Sequence, residues 1–271
     1  MTEVSILIKC NDQYRYLEQA LPTIANQTKK DIEIIIIYSG TDESNRESTL
    51  SLAYEWGVRI LLFDKKRPFP HPAALNAGVR EAQGEYLVCL SADAVPKHDE
   101  WLESLLYHFW CPRVAGVYGS HALRDQYGWR ERLTIGHWLD RWRIAQRYRD
   151  QALCKWPEDG HLFSNANSAI RRSLWEQHEF DESLTSGCED YEWARWAHAN
   201  GYTVVYEPRA SAFHTHGERY SLISYLLRAA EFKLVRSQID ARPQANVLPE
   251  PISSRCSTSH CPLRLLKNPP P

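Results

Sequence analysis

Leu87-Val-Cys-Leu-Ser-Ala-Asp-Ala-Val-Pro96 runs from apolar residues straight into an aspartate and stops three residues later at a proline. An apolar run without polar alternation is the pattern of a strand covered on both faces, as in a parallel sheet. The pattern has three earlier counterparts: Val4 to Lys9, closed by Cys10-Asn-Asp12; Ile32 to Ile37; and Val58 to Phe63. Helical spacing fills the intervals. Tyr14 to Asn26 sets Leu17, Ala20, Leu21 and Ile24 on one face, with Pro22 expected to kink the helix or confine its start. Ser39-Gly-Thr-Asp42 reads as a turn and cap before a helix through Trp56, and a Pro-rich loop (Arg67 to Pro72) precedes a helix from about Ala73 to Gln83. The order βαβαβαβ predicts an α/β fold, a Rossmann-like, mainly parallel central sheet flanked by helices. Such sheets bind ligands beyond the carboxyl ends of their strands. That rule places Asp93 in a candidate crevice, facing Lys9, Cys10, Asn11, Ser39 and Asp42 from strands one and two.

The totals narrow the classes. With 271 residues, 43% of them hydrophobic, the chain can bury a full core. A formal charge of −2 and a pI near 6.6 give no nucleic-acid footprint. No basic and apolar leader precedes the first strand, and the longest apolar run, Ile32 to Tyr38, is too short for a bilayer, so the expected compartment is the cytoplasm. Seven cysteines at unrelated spacings fit a reducing compartment rather than a disulfide framework. No strand leads into a Gly-x-Gly-x-x-Gly or Gly-Lys-Ser turn, which removes dinucleotide and P-loop readings.

Further along, a helix from Asp99 carries Trp101, Leu102, Leu105, Leu106 and Phe109, and a strand is expected over Val114 to Tyr118. Residues 120–160 crowd arginine with tryptophan and read as an amphipathic helical insertion, either a plain surface helix or an acceptor-binding face. A helix over Asp190 to Asn200, a strand over Thr203 to Tyr206 and a last amphipathic helix from Ser221 to about Ile239 follow; the tail after Arg242 is expected to be disordered. In that last helix Arg228, Lys233 and Arg236 stand beside Leu226, Leu227, Phe232 and Leu234, which suits peripheral membrane contact, packing on the main domain or a homodimer contact.

Three constellations can carry chemistry. Asp93 with His214-Thr-His216 offers oxygen and imidazole ligands for a divalent cation on a diphosphate, although Asp93 could equally cap a helix after Pro96. Glu189-Asp190 opens a helix, where Ser186 and Glu189 fit a capping box and Asp190 could serve as a general base or a cap. Phe163-Ser-Asn-Ala-Asn-Ser168 presents short polar side chains for a sugar or for its own turns.

Taken in order, Val4-Ser-Ile-Leu-Ile8 with Asn11, Leu21-Pro-Thr-Ile-Ala-Asn-Gln-Thr28, Ala74-Leu-Asn-Ala-Gly78, Ala82-Gln-Gly-Glu-Tyr86, Ser91-Ala-Asp-Ala-Val-Pro96, Glu189-Asp190 with Trp193, and His214 resemble the inverting family 2 glycosyltransferases of the GT-A fold. The Ser-x-Asp-Ala form, the Phe-x-Asn-x-Asn-Ser segment and the later His-x-His are most similar to bacterial rhamnosyltransferases using dTDP-L-rhamnose. Ser91 stands where many members have an aspartate, Tyr38 where an aspartate is usual, and Leu75 where many rhamnosyltransferases have an arginine. The resemblance implies a glycosyltransferase domain over residues 1–220 (a nucleotide-sugar half to 119, the insertion 120–160, a catalytic-base half 161–220), then a helix 221–240 and a tail 241–271. It implies Asp190 as the base supported by Glu189, and Mg²⁺ or Mn²⁺ held by Asp93 and by His214 or His216. Donor contacts would come from Lys9, Asn11, Ser39 and Asp42, with His71, Asn76, Ser91, Ala92 and Asp93. Asn165, Asn167 and Trp193 would meet a glycan, lipid-linked or small-molecule acceptor. Two other classes compete: a nucleotide-sugar-binding scaffold without catalysis, and a nucleotidyltransferase, which would want a Gly-rich basic loop where this chain has Lys9-Cys-Asn-Asp12.

Overall fold

Alternation along the buried strands builds two core layers at once. The computed structural model describes residues 2–63, 71–122, 152–155, 162–184, 187–214 and 222–243. Strands β1 (Val4–Cys10), β2 (Ile32–Tyr38), β3 (Arg59–Leu62) and β4 (Tyr86–Ser91) lie parallel in the order β3-β2-β1-β4. Ile6, Ile8, Ile36, Val88 and Leu90 point into one layer, while Leu7, Ile35, Ile37, Leu87 and Cys89 point into the other. The period of two along each strand feeds both faces, which is why these strands read as unbroken apolar runs.

Helices α1 (Tyr14–Ala25), α2 (Glu43–Glu55), α3 (His71–Glu81), α4 (Trp101–Leu106), α5 (Arg172–Trp175) and α6 (Glu189–Ala199) cover the sheet, and α7 (Leu222–Ala241) packs on α6. Leu17, Leu21 and Ile24 of α1 close the first layer with Trp101 and Leu105 of α4; Ala74, Leu75 and Val79 of α3 close the second with Trp193 and Ala197 of α6. α1 runs through Pro22, and Asn26 N–H donates to Pro22 O to end it. Among the described residues no helix is long and apolar enough to cross a membrane. The described free cysteines Cys10, Cys89, Cys111 and Cys188 are all buried.

Beyond β4 the sheet becomes mixed. β5 (Ala94–Pro96), β6 (Val114–Ala122), β7 (Leu153–Lys155), β8 (Asn167–Arg171) and β9 (Thr203–His214) extend it as β4-β8-β6-β9-β5, with β7 on β9. β8 is antiparallel to both β4 and β6, whereas β6 and β9 are parallel.

Several expectations need correction here. Ala94–Pro96 is a strand paired with β9, and the next helix, α4, begins at Trp101 with Glu100 as its N-cap, so Asp93 is not a helix cap. The strand expected to stop at Tyr206 continues to His214. Pro208 removes a ladder donor, and the chain accommodates it in a register break, where residues 208–211 bulge between the pairs Gly119↔Glu207 and His121↔Ala212. A Cβ on Gly119 would lie 1.9 Å from Ala210 O, so glycine lets the bulge close against β6. Where the insertion was expected to be helical, its described flanks, residues 120–122 and 153–155, are strand. The rest of the insertion and the tail from 244 lie outside the described residues.

Candidate active site

Backbone hydrogen bonds pin the aspartate at the end of β4. Ala92 N–H donates to Lys9 O at 3.0 Å and Ser91 N–H to Ala166 O at 3.1 Å, which ties Ser91-Ala-Asp93 to β1 on one side and to the segment before β8 on the other. Asp93 is 6% exposed. The β5–β9 register sets Ala94 against His214, and this brings His214 Nε2 to 3.2 Å from Asp93 Oδ1. On its other side His214 Nδ1 lies 3.3 Å from Nδ1 of His121, their rings edge to face with centroids 4.6 Å apart. His121 was missed by sequence reasoning. Its one signal was a histidine just beyond the apolar run of β6.

The Asp93 carboxylate is the oxygen ligand that Mg²⁺ or Mn²⁺ takes, and the His214 imidazole nitrogen is a softer donor that a transition metal such as Mn²⁺ accepts more readily than Mg²⁺. Among the described residues no group of three His, Cys, Asp or Glu side chains is arranged to hold a metal, so diphosphate and water oxygens would complete the shell. His216 lies outside the described residues.

The second half of the site is the first turn of α6. Gly187 has φ 101° and Cys188, the N-cap, has φ 72°, so two consecutive left-handed residues turn the chain into the helix. Left-handed geometry on a non-glycine residue is strained and concentrates at functional sites. Cys188 makes no side-chain cap bond, and with the helix starting at Glu189 the expected capping box from Ser186 is out of register; Ser186 itself is outside the described residues.

Glu189 is buried, and Asn165 Nδ2 donates to its Oε1 at 3.5 Å. Asp190 Oδ2 accepts from Asn165 N–H at 3.3 Å, and Oδ1 from Tyr191 N–H at 2.8 Å. Burial, and then the Glu189 carboxylate beside it, push the Asp190 carboxyl up to about 7, against the pull of the Tyr191 amide, the Arg236 guanidinium and the Asn165 amide. A carboxylate titrating near neutrality is the chemistry asked of a general base. Residues 165 and 166 thus touch both arms: Ala166 O holds Ser91, and Asn165 N–H holds Asp190.

At the ends of β1 and β2, Lys9 Nζ contacts His71 Nδ1 at the start of α3, and Ser39 Oγ donates to Cys10 O at 3.2 Å. Asn11 is exposed at the same edge. Asp42 serves as the N-cap of α2, its Oδ1 accepting from Asn45 N–H at 2.7 Å. Asp12, not anticipated, organises this edge from a left-handed backbone at φ 55°. It accepts from Tyr38 Oη at 2.6 Å, Thr41 N–H at 3.0 Å and Asp42 N–H at 3.1 Å. Burial and the Asp12 carboxylate push the Tyr38 hydroxyl well above its ordinary range, so it remains a donor.

Three expected contact residues are placed elsewhere. Asn76 is fully buried: its Nδ2 donates to Phe180 O and Glu182 Oε1, and its Oδ1 accepts from Trp175 Nε1 and Phe180 N–H. That set uses the whole hydrogen-bonding capacity of the amide, leaving nothing for a donor sugar. Asn167 is likewise buried, bonded to Trp101, Ser120 and Ala210. Trp193 is a core side chain packed against Phe163 at 5.7 Å between ring centroids. These residues brace the site instead of lining it.

The fold is shared with proteins of known structure. A mannosyltransferase from Pyrobaculum calidifontis, solved with GDP-Man and Mn²⁺, superposes with a TM-score of 0.67 at 17% identity, covering 90% of this chain and 66% of that one. The S. aureus TarS fragment 1–349 with UDP gives 0.54 at 13% identity over 79% of this chain and 60% of that one. Residues 5–178 match the family model for Glycosyl transferase family 2, and the chain belongs to that family. An uncharacterized glycosyltransferase of Rickettsia conorii is 34% identical over 129 residues, 47% of this chain and 21% of the relative. The O-antigen biosynthesis protein RfbC of Myxococcus xanthus is 26% identical over 117 residues, 42% of this chain and 9% of the relative. The chain therefore spans only a minor part of the length of these curated relatives.

Proposed function

We propose that this chain is an inverting glycosyltransferase that moves a sugar from a nucleotide donor to an acceptor hydroxyl. One observation carries the reading: residues 165 and 166 bond both the Asp93-bearing strand end and Asp190, which has a raised pKa, and this supports a diphosphate-holding carboxylate and a base acting together. Asp190 takes the proton of the acceptor hydroxyl as its oxygen attacks the anomeric carbon. Asn165 and Tyr191 orient that carboxylate, and Glu189 keeps it basic. Asp93 and His214 would hold a divalent cation, which neutralises charge on the departing nucleoside diphosphate when bound. Lys9, Ser39 and His71 line the nucleoside end.

The donor we assign is dTDP-L-rhamnose, on the Ser91-x-Asp93-Ala form and the Phe163-to-Ser168 segment. A GDP- or UDP-sugar is the second reading: Leu75, where many rhamnosyltransferases carry arginine, is buried in the core here, and the two superposed proteins were solved with GDP-Man and UDP. For the acceptor we favour a glycan or lipid-linked hydroxyl met at the cytoplasmic face of a membrane, to which the exposed Leu226, Leu227 and Leu234 of α7 would give peripheral contact.

Thermal-shift screening against dTDP-, UDP- and GDP-sugars with Mg²⁺ or Mn²⁺ tests the assignment, since a ligand of the folded state raises the melting temperature with its occupancy. The largest shift is expected with dTDP-L-rhamnose. A larger shift with a UDP- or GDP-sugar overturns the donor, and binding without any release of nucleoside diphosphate leaves a non-catalytic binder.

A further inference from the structure

We propose that Arg236, on the C-terminal helix α7, is a positioning residue for Asp190: its guanidinium holds the carboxylate anionic and fixes the start of α6, which makes α7 a working part of the catalytic site. The inference rests on Asp190 being the base.

α7 is locked onto α6 around the strained turn. Leu184, Cys188 and Ile239 form a small core with Tyr191, Phe232 and Val235 packed on it. Tyr191 Oη donates to Asp240 at 3.0 Å, Arg195 Nη2 to Arg242 O at 2.7 Å, and Arg242 Nη1 lies 2.5 Å from Asp181 Oδ2. A Cβ on Gly187 would meet the Phe232 ring at 3.3 Å, so α7 sits directly against the first left-handed residue.

Arg236 reaches both neighbours of the carboxylate pair. Its guanidinium lies over the Tyr191 ring at 5.0 Å, and its positive charge pulls down the Cys188 thiol that burial pushes up, so it acts on residues 188 and 191 on either side of Glu189-Asp190. Among the described residues its buried Nε has no hydrogen-bond partner, a cost that packing alone gives no reason to carry. The placement makes electrostatic sense beside two adjacent carboxylates. Glu189, Cys188 and Tyr191 face Asp190 from α6 and its cap, the Asn165 amide from the segment before β8, and the buried Cys89 thiol from β4, with Lys9 of β1 acting on Cys89. Arg236 contributes positive charge against burial and Glu189. Removing it raises the Asp190 pKa, because a nearby cation favours the charged form of a carboxylate. The base would then be protonated, and idle, over more of the neutral range.

The full chain, isotope-labelled at the aspartate side-chain carboxyls, is titrated by carbon NMR; the resonance missing in Asp190→Asn belongs to Asp190. In Arg236→Gln its midpoint is expected to rise by about one pH unit or more. The acid limb of nucleoside-diphosphate release from dTDP-L-rhamnose should move up with it, while nucleotide affinity holds. Arg236→Lys should keep the wild-type midpoint, which separates charge from mere packing. An unmoved midpoint in Arg236→Gln overturns the proposal, as does a lysine variant that shifts as far as the glutamine one. If Arg236→Gln does not fold, Arg236→Met, which keeps the aliphatic packing without the charge, replaces it, with the same rise expected and an unmoved midpoint overturning the proposal. Wild-type turnover in Asp190→Asn removes the base reading itself; an inactive Asp190→Asn together with an unshifted Arg236→Gln removes only this inference.

Discussion

Glu207 is the residue whose charge the fold depends on most measurably. It sits just before Pro208, where β9 leaves register with β6, and it is fully buried. His108 Nε2 contacts its Oε2 at 2.7 Å, and the Arg209 guanidinium meets both oxygens at 2.9 Å. Burial by itself pushes this carboxyl up, but the bonds from His108, the Arg209 side chain and the Arg209 amide more than offset it and hold the pKa down to about 2 from 4.5. At about 1.4 kcal/mol per pH unit, that depression corresponds to about 3 kcal/mol of folding stability. The Arg209 side chain is 59% exposed, so solvent screening brings the expected figure to about 2 kcal/mol. The sign follows from linkage: a depressed acid contributes fully above its unfolded pKa and loses the contribution as pH falls from 4.5 toward 2. Glu207→Gln should therefore be less stable than wild type by about 2 kcal/mol at pH 7, and the gap should close as the wild type is acidified. Urea unfolding of both proteins across that range measures it. A gap that stays constant from neutral pH to pH 3 would refute the electrostatic account and leave only a packing defect.

Asp190→Asn should lower transfer by about a hundredfold or more, the usual worth of a general base, with nucleoside-diphosphate affinity by calorimetry unchanged. Wild-type activity should fall on the acid side through an apparent pKa near 7, because the base must be ionised and its pKa is raised; a flat pH–rate profile from 5.5 to 8 would contradict it. Asp93→Asn, or excess chelator on the wild type, should remove the metal-dependent part of nucleoside-diphosphate affinity, and undiminished binding in chelator would exclude Asp93 and His214 as a metal site. Gly40→Ala should cost about 1–3 kcal/mol by chemical denaturation, since the added Cβ would fall 1.9 Å from Asp12 Oδ1 and break the bonds that Asp12 makes to Tyr38, Thr41 and Asp42.

The parallel half of the sheet was legible because β1, β2 and β4 are buried between two core layers, so local pattern and tertiary environment agree; only the edge strand β3 is partly exposed. Asp93 could be placed for the same reason: a strand end in an open α/β sheet has one functional side. The antiparallel half was harder to read. Phe163 to Ser168 reads as an extended segment with polar side chains for a sugar or for its own turns, whereas Asn167 and Ser168 open β8 in the middle of the sheet and are buried, with the Asn167 amide tying three elements together. β9 was cut short at Tyr206 because Glu207-Pro-Arg209 looks like a stop. The chain crosses it by pairing Glu207 with His108 from the turn after α4, a contact 99 residues away in sequence that no local window contains. Arg236 was visible only as one of several basic residues on an amphipathic helix; its relation to Cys188 exists only once α7 docks.

Two non-glycine residues among those described take left-handed backbones, Asp12 and Cys188, and they stand at opposite ends of the site. Each costs on the order of 1 kcal/mol or more, and such a conformation persists only where the surroundings over-determine it. The surroundings differ in kind. At Asp12 the strain is offset by one carboxylate gathering three donors from the β2–α2 turn, a local device that needs only nearby chain. At Cys188 it is offset by α7, through the Leu184, Cys188 and Ile239 cluster and the Arg236 contacts, a device that exists only after the C-terminal helix has docked. The β1–β2 edge can therefore form with the first βα units, whereas Asp190 acquires its geometry last. Hydrogen exchange should find the first turn of α6 opening together with α7 and independently of the β1–β2 edge.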